Sequence, residues 1–353
     1  MKKNRYILLV AAALALLAVA LYLTSSRSTF RRSLSDFAVS DTSNVTMIFM
    51  ADKNNNEVKL TRQPDGKWTV NDKYPAQKIN VNMLLSTILE LQVKYPVPVS
   101  AHNNIIRQLA SNAVKVEIYQ QVYRIRLFGI HLFRHQKRTR VYYVGSATQD
   151  NRGTYMLMEH SDEPFVVFLP GLRGFVSPRY SPIEKYWRDY VVFRKDPREI
   201  ASVTVDYPYY PDSSFMVRVE KGRKPVVILL KTNTPVTGFD TLKVWGFLTA
   251  FRNLNYESLL NDIDRHYRDS IVASKPFCIV TLKDTAGNVS TVRTFFKRAD
   301  PGSEEIYGKV VPYDLDRLYA LVNNGQDFTL IQYFVFDKIF RTGAWFTRSR
   351  PAR

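Results

Sequence analysis

Cysteine is almost missing from this sequence, since Cys278 is the only one among 353 residues. A lone cysteine excludes an internal disulfide framework and the paired cysteines of zinc or redox motifs. Its neighbours Phe277 and Ile279 are typical of a strand, so the thiol is expected to be buried and inert. The patterns HExxH, GxSxG and GxxxxGKS/T are also absent. The sequence therefore predicts no catalytic site, no cofactor and no metal site.

Acidic residues are locally scarce, although the chain as a whole carries a formal net charge of +18. Residues 1–35, 120–143 and 338–353 hold six, six and five Lys or Arg side chains and no Asp or Glu. Local positive charge attracts polyanions such as anionic lipids and acidic polymers. No nucleic-acid-binding motif accompanies these segments, so nucleic acid is not expected as a partner. The middle segment is either a solvated strand edge or an anionic contact surface, and its candidate residues are Arg124, Arg126, Arg134, Lys137, Arg138 and Arg140.

A long apolar run lies near the N-terminus. Residues 6–23 contain no charge, glycine or proline, and they follow a basic start. Such a run spans about 27 Å as a helix, which matches the hydrocarbon core of a bilayer. It is longer than the apolar region of a cleaved signal peptide, which is the alternative. We therefore predict that residues 1–35 form a membrane anchor and juxtamembrane segment.

The predicted anchor also indicates a location. A single apolar segment after a short basic N-terminus favours a single-pass protein of the inner (cytoplasmic) membrane. The rest of the chain is then expected outside the cytoplasm, in the periplasm if the cell is a diderm bacterium.

The remaining sequence repeats itself. A shift of 163 residues places residues 79–93 on residues 242–256, and the apolar positions of both segments have helical spacing. Leu84, for example, falls on Phe247. Segments with strand-like alternation precede and follow each helix in the same order. The pattern indicates an internal duplication.

This duplication predicts the fold class and the domains. We expect an α+β protein in which a transmembrane helix precedes two tandem, internally duplicated domains of mostly antiparallel sheet, with helices packed on one face. The boundary is expected at the charged, proline-containing link 195–198. The first repeat is then residues 36–198, and the second is residues 199–353.

One stretch of the first repeat resembles a known bacterial envelope family. A hairpin, the segment Lys67-Trp68-Thr69-Val70, a polar link and the amphipathic segment 81–93 follow one another as in domain-of-unknown-function family 4340. In the second repeat, residues 227–230 take the place of the tryptophan segment. The resemblance implies an N-terminal anchor, a repeated α+β body and a role accessory to an ABC-type transporter. It implies no catalytic residues.

Two further groups are candidates for function. Tyr207, Tyr209 and Tyr210 lie in a proline-locked loop that either stacks on a sugar or peptide or caps the sheet. The carboxylate pairs that suit acid–base work are Glu304 with Glu305, Asp314 with Asp316, and Asp262 with Asp264. Surface or helix-capping roles are expected for these carboxylates, and the segment from Asp314 is expected to begin a short helix.

These observations predict a membrane-anchored, non-enzymatic interaction module of the cell envelope, accessory to an ABC-type transporter or an envelope assembly. Its expected partners are the lipid bilayer and an integral membrane component of a transporter. One alternative is a protein that binds an acidic envelope ligand, lipid or polymer, through the basic edge at 124–140. A second alternative is a hydrolase of envelope polymers that uses an Asp/Glu pair.

Overall fold

The computed structural model describes residues 13–15, 18, 36–127, 130–220, 222–302, 305–306 and 309–347. The chain forms two compact units, Met1–Asp189 and Tyr190–Arg353. Each unit contains a nine-stranded sheet. The division follows Asp189, whereas the sequence predicts it after Arg198.

In the first unit, the sheet order is β4-β3-β2-β1-β6-β7-β8-β9-β5. Every neighbouring pair is antiparallel. The helices are α1 (Lys78–Glu90), α2 (Val99–Asn112) and the short α3 (Glu184–Trp187). The strands are β1 (Val45–Ala51), β2 (Glu57–Arg62), β3 (Trp68–Val70), β4 (Tyr74–Pro75), β5 (Gln92–Pro96), β6 (Val114–Leu127), β7 (Ile130–Ala147), β8 (Thr154–Met158) and β9 (Phe165–Phe168).

In the second unit, the sheet order is β14-β13-β12-β11-β17-β18-β21-β22-β16. Two small two-stranded sheets, β10–β15 and β19–β20, accompany it. The helices are α4 (Thr241–Thr249), α5 (Arg265–Ala273) and the short α6 (Tyr333–Phe336). The strands are β10 (Val191–Phe193), β11 (Ile200–Asp206), β12 (Phe215–Glu220), β13 (Lys224–Leu229), β14 (Thr234–Pro235), β15 (Leu254–Asn255), β16 (Ser258–Leu259), β17 (Cys278–Asp284), β18 (Val289–Arg298), β19 (Glu305–Ile306), β20 (Lys309–Val310), β21 (Tyr313–Val322) and β22 (Asp327–Gln332).

The two nine-stranded sheets have equivalent strands in the same order. A bulge also recurs at an equivalent place. The pairing of β1 with β6 shifts between Val45 and Met47, and the pairing of β11 with β17 shifts between Ile200 and Ser202. A β-bulge is a specific local feature of a strand pair. A shared strand order with a shared bulge is the arrangement expected from the repeat in the sequence.

The helices lie on both faces of each sheet, so the prediction that they share one face is wrong. In the first unit, α1 packs in a cluster that contains Val167, whereas α2 packs in a cluster that contains Val166. Successive residues of a strand point to opposite faces, so these two clusters lie on opposite sides of the sheet. Strand β9 reads Phe-Val-Val-Phe and is apolar on both faces, so each face requires cover.

The second unit has the same arrangement. Val244, Phe247 and Leu248 of α4 belong to its large cluster, and Ile271 of α5 packs against a smaller cluster that includes Phe328. The fold class is therefore corrected to two units dominated by antiparallel sheet, with one main helix on each sheet face.

The predicted membrane anchor also requires correction. In the described part of the chain, no helix combines the length and the apolar character that crossing a membrane requires. Of the predicted span 6–23, only residues 13–15 and 18 are described, and the other positions lie outside the described residues. This finding contradicts the predicted transmembrane helix, the predicted signal-anchor and the predicted single-pass location in the inner membrane. These three predictions are corrected.

Candidate functional site

Strands β6 and β7 form a hairpin that extends beyond its sheet. Their pairing runs from Val114 with Val144 to Leu127 with Ile130. However, β1 pairs with β6 only as far as Gln120, and β8 pairs with β7 only as far as Tyr142. Residues 120–127 and 130–137, which we call the ribbon, therefore continue as two strands, and beyond Gln120 no third strand pairs with them in the part of the chain that the structure describes. At about 3.3 Å per residue, the ribbon is roughly 20 Å long.

The base of the ribbon is fixed by hydrogen bonds. The Gln120 side-chain amide donates to the carbonyl of Asp41 at 2.9 Å and accepts from the Thr139 hydroxyl at 2.7 Å. The Gln136 amide donates to the Thr46 hydroxyl at 2.9 Å. An isolated two-stranded hairpin is only marginally stable in water. These bonds therefore set the direction in which the ribbon leaves the sheet.

The equivalent hairpin of the second unit has no ribbon. There, Lys283 pairs with Val289, and residues 284–288 close a short turn. The Asp284 carboxylate accepts from the backbone N–H of Asn288 at 2.8 Å and thereby holds this turn. Tyr119 pairs with Arg138 at the equivalent place in the first unit, where the chain continues into the ribbon instead. The second unit shows that this fold closes without the ribbon.

The six predicted basic residues have different surroundings. Arg124, Arg134 and Lys137 are exposed and contact no acidic group in the part of the chain that the structure describes. Arg126 lies opposite His131 in the ribbon, and its side chain is outside the described residues. Arg138 and Arg140 are at the base, and both form ion pairs. Among the described side chains of the ribbon, Arg124, Arg134 and Lys137 are therefore available to a ligand.

The two basal arginines have structural partners. Arg140 contacts the Asp36 carboxylate at 2.6 Å. Arg138 contacts Glu117 at 3.3 Å and Glu159 at 3.5 Å. Glu117 also accepts from the Lys115 ammonium at 2.8 Å and the Tyr119 hydroxyl at 2.7 Å. These arginines neutralise acidic groups of the first unit.

Glu117 stays ionised at neutral pH although it is nearly buried. Burial raises the pKa of its carboxyl, but the hydrogen bonds from Lys115 and Tyr119 outweigh burial, so the pKa is lowered. The hydrogen bond to Glu117 also raises the pKa of the Tyr119 phenol. A carboxylate with a lowered pKa is a poor general acid at neutral pH. The contacts of Glu117 with Lys115, Arg138 and Tyr119 instead stabilise the base of the ribbon.

The end of the ribbon carries exposed apolar side chains that the sequence analysis missed. Leu132 is 46% exposed and Phe133 is 68% exposed. Neither belongs to, or packs against, a buried cluster of the described residues. The detectable signal was the mixture of apolar and basic residues between 124 and 137 with no acid. Alternation of apolar and polar residues alone predicts a half-buried strand, so it does not indicate that Leu132 and Phe133 are exposed.

The three tyrosines of the predicted aromatic site do not form one surface. Tyr207 is 5% exposed, its ring packs against Phe277, and its hydroxyl donates to the carbonyl of Arg341 at 2.9 Å. Tyr209 is half exposed with the Lys275 ammonium 4.8 Å from its ring centroid, and Tyr210 is exposed. Only Tyr209 and Tyr210 are therefore placed to contact a ligand.

Burial changes the chemistry of the groups beneath that loop. It raises the pKa of the Tyr207 phenol and of the Cys278 thiol. The predicted burial of Cys278 is confirmed. A thiol with a raised pKa holds little thiolate at neutral pH, so it is a poor nucleophile.

Asp264 and Asp314, each a member of one candidate carboxylate pair, are placed for structural roles. Asp264 accepts from the backbone N–H of Tyr267 at 2.8 Å and caps α5, as capping predicts. Asp314 contacts the Lys297 ammonium at 3.1 Å. Burial raises the pKa of Asp314, but the backbone N–H of Asp316 and the charge of Lys297 outweigh it and lower the pKa. Glu304 lies outside the described residues, as does the side chain of Glu305.

The segment from Asp314 is not a helix, so that prediction is wrong. It forms β21, which pairs with β18 and β22 on its two sides. Among the described residues, no group of three His, Cys, Asp or Glu side chains is close enough to hold a metal ion.

Comparison with known proteins gives no relative for this chain: no family model, curated protein or solved structure matches it. The resemblance to domain-of-unknown-function family 4340 therefore stays a prediction, and so does the transporter-accessory role that it implies. The candidate site consequently stands on the geometry of the ribbon.

Proposed function

We propose that this chain is a non-enzymatic interaction module that binds an acidic partner through the ribbon. The observation that carries this proposal is the difference between the two units. The first unit extends the hairpin over residues 120–127 and 130–137, where the second unit needs only residues 284–288. Because the fold closes without the extension, stability of the sheet does not account for it.

The charge of the ribbon indicates the chemistry of the partner. Arg124, Arg134 and Lys137 are exposed and unpaired among the described residues, and residues 120–143 contain no acid. The nearby acids of the sheet, Glu117 and Glu159, already have Arg138 as a partner. The ribbon therefore presents uncompensated positive charge, which attracts acidic surfaces and repels basic ones.

Two variants of the full chain test the proposal. The first replaces residues 120–137 with Asp-Thr-Ala-Gly-Asn, the turn of the second unit, and removes the ribbon at its base. The second is the triple substitution Arg124→Gln, Arg134→Gln and Lys137→Gln. A matched control changes the exposed residues Arg152, Lys224 and Lys283 to Gln, and it removes the same net charge elsewhere.

Binding to immobilised poly-L-glutamate is the measurement. The wild-type chain and the control are expected to bind and to be released as salt rises, because exposed charge pairs are screened. The ribbon triple variant is expected to bind roughly tenfold more weakly at low salt, as loss of three exposed ion pairs implies. The chain without the ribbon is expected not to bind. Equal loss in the control and the ribbon variants would show that net charge alone causes binding and would refute the proposal.

A further inference from the structure

We infer that the acidic partner of the ribbon is the surface of an anionic lipid bilayer, and that Leu132 and Phe133 enter its interface. This inference rests on the proposed function, because it names the partner of the same ribbon. In this arrangement the ribbon stays folded and contacts a single leaflet of the bilayer.

The end of the ribbon exposes apolar side chains. Leu132 and Phe133 are adjacent, 46% and 68% exposed, and outside every buried cluster of the described residues. Large apolar side chains exposed together point to an interaction site. A hydrated acidic polymer offers no apolar environment for them. The interface of a bilayer accepts apolar side chains just below the headgroups and offers anionic phosphates above them.

The cations of the ribbon lie on both of its faces. Arg134 pairs with Tyr123 and Lys137 pairs with Gln120 in a regular antiparallel register. Three positions separate Arg134 from Lys137, so their side chains point to opposite faces of the ribbon. A flat acidic protein would meet only one of these faces. Lipid headgroups surround an inserted hairpin on both faces, so they can neutralise both cations.

Vesicle binding of the full chain tests the inference. The probe is vesicles of phosphatidylglycerol and phosphatidylcholine in equal parts, compared with vesicles of phosphatidylcholine alone. The wild-type chain is expected to sediment with the anionic vesicles only. The ribbon triple variant is expected to bind about 100-fold more weakly, because each cation near an anionic surface contributes about fivefold.

A second pair of variants separates insertion from charge. The double substitution Leu132→Ser with Phe133→Ser is expected to weaken vesicle binding about tenfold or more and to leave poly-L-glutamate binding unchanged. The matched control is Phe334→Ser, since Phe334 is an exposed aromatic residue of the second unit. This control is expected to bind vesicles as the wild type does.

An environment-sensitive label reports insertion directly. The native Cys278 is fully buried, so a new cysteine can be labelled selectively in the folded protein. The dye NBD at Phe133→Cys is expected to brighten and shift to the blue on anionic vesicles. The same dye at Phe334→Cys is expected to stay unchanged. Equal responses at both positions would contradict insertion of the ribbon.

The outcomes separate the two proposals. Poly-L-glutamate binding that depends on the ribbon, without vesicle binding, would overturn the bilayer inference and would leave the proposed function, with an acidic protein or polymer as partner. Vesicle binding that is insensitive to Leu132 and Phe133 would also overturn insertion. Binding of the chain without the ribbon at wild-type strength to both probes would overturn both. Urea unfolding of each variant checks that the fold is retained.

Discussion

Asp284 connects a turn to the start of the second unit. Its side chain is only 4% exposed, and it accepts hydrogen bonds from the Asn288 backbone at 2.8 Å and the Lys195 ammonium at 2.7 Å. The hydrogen bond from Lys195, with that from the Asn288 side chain, lowers the pKa of Asp284 well below its ordinary range. A depressed pKa means that the charged form stabilises the folded state.

The pH dependence of this contribution follows from its sign. The unfolded carboxyl has a pKa of about 3.9, so the stabilisation is complete above that pH and is lost as pH falls toward the folded pKa. We therefore expect Asp284→Asn to unfold at a lower urea concentration than wild type at neutral pH. The difference should shrink as pH falls below about 4. Urea unfolding followed by circular dichroism between neutral and acidic pH measures it.

Asp52 provides the matched control for this substitution. It holds the turn between β1 and β2 by accepting from the backbone N–H groups of Asn54 at 2.8 Å and Asn56 at 3.0 Å, but no ion pair joins it among the described residues. Asp52→Asn is therefore expected to have the smaller dependence on pH. A difference for Asp284→Asn that is constant across this pH range would show that its charge contributes nothing.

At the level of elements, helix α1 is the feature that its apolar spacing predicts most directly. The apolar spacing in 79–93 predicted α1 within a few residues, because Val81, Leu84 and Ile88 form one buried face. The matching segment 242–256 was predicted less well. Helix α4 ends at Thr249, a short 3-10 turn follows, and residues 254–255 form β15 by pairing with β10. Pairing with a distant strand overrides a local spacing that still favours a helix.

The repeated helices also give a stability prediction with internal controls. Leu84 and Phe247 occupy the matching buried positions of α1 and α4, whereas Ile79 and Leu242 occupy matching exposed ones. We expect Leu84→Ala and Phe247→Ala to lower the free energy of unfolding by about 2–5 kcal/mol, because each leaves a cavity. Ile79→Ala and Leu242→Ala should change it by less than about 0.5 kcal/mol. Urea unfolding of the four variants distinguishes these cases.

The ribbon shows where sequence reasoning reached its limit. The basic residues of 124–140 were identified from composition alone. Their partners were not, because Asp36 and Glu159 lie far along the chain from Arg140 and Arg138. The second helix of each unit was assigned to the wrong sheet face for a related reason. Periodicity shows which side of a helix is apolar, but not which face of a sheet it covers.

At the scale of the whole molecule, each unit has its own large buried cluster. The large cluster of the first unit takes its residues from between Phe37 and Trp187, and that of the second from between Phe193 and Phe346. Sequence alone predicted two repeats of similar size, but it placed their boundary at a charged link. The core of the second unit instead begins before that link, because Phe193 of β10 is buried against Phe251 with ring centroids 5.2 Å apart.

This difference in boundary gives a direct prediction for isolated fragments. A fragment of residues 190–353 retains β10, its pairing with β15, and the contact of Lys195 with Asp284. A fragment of residues 199–353 loses all three and leaves the apolar site of Phe193 open to water. We expect the longer fragment to unfold cooperatively and the shorter one to be less stable by about 3–5 kcal/mol, as for truncation of a buried phenylalanine. Phe193→Ala in the longer fragment is the control, and it should account for most of the loss. Equal urea midpoints for the two fragments would show instead that the core of the second unit is complete without β10.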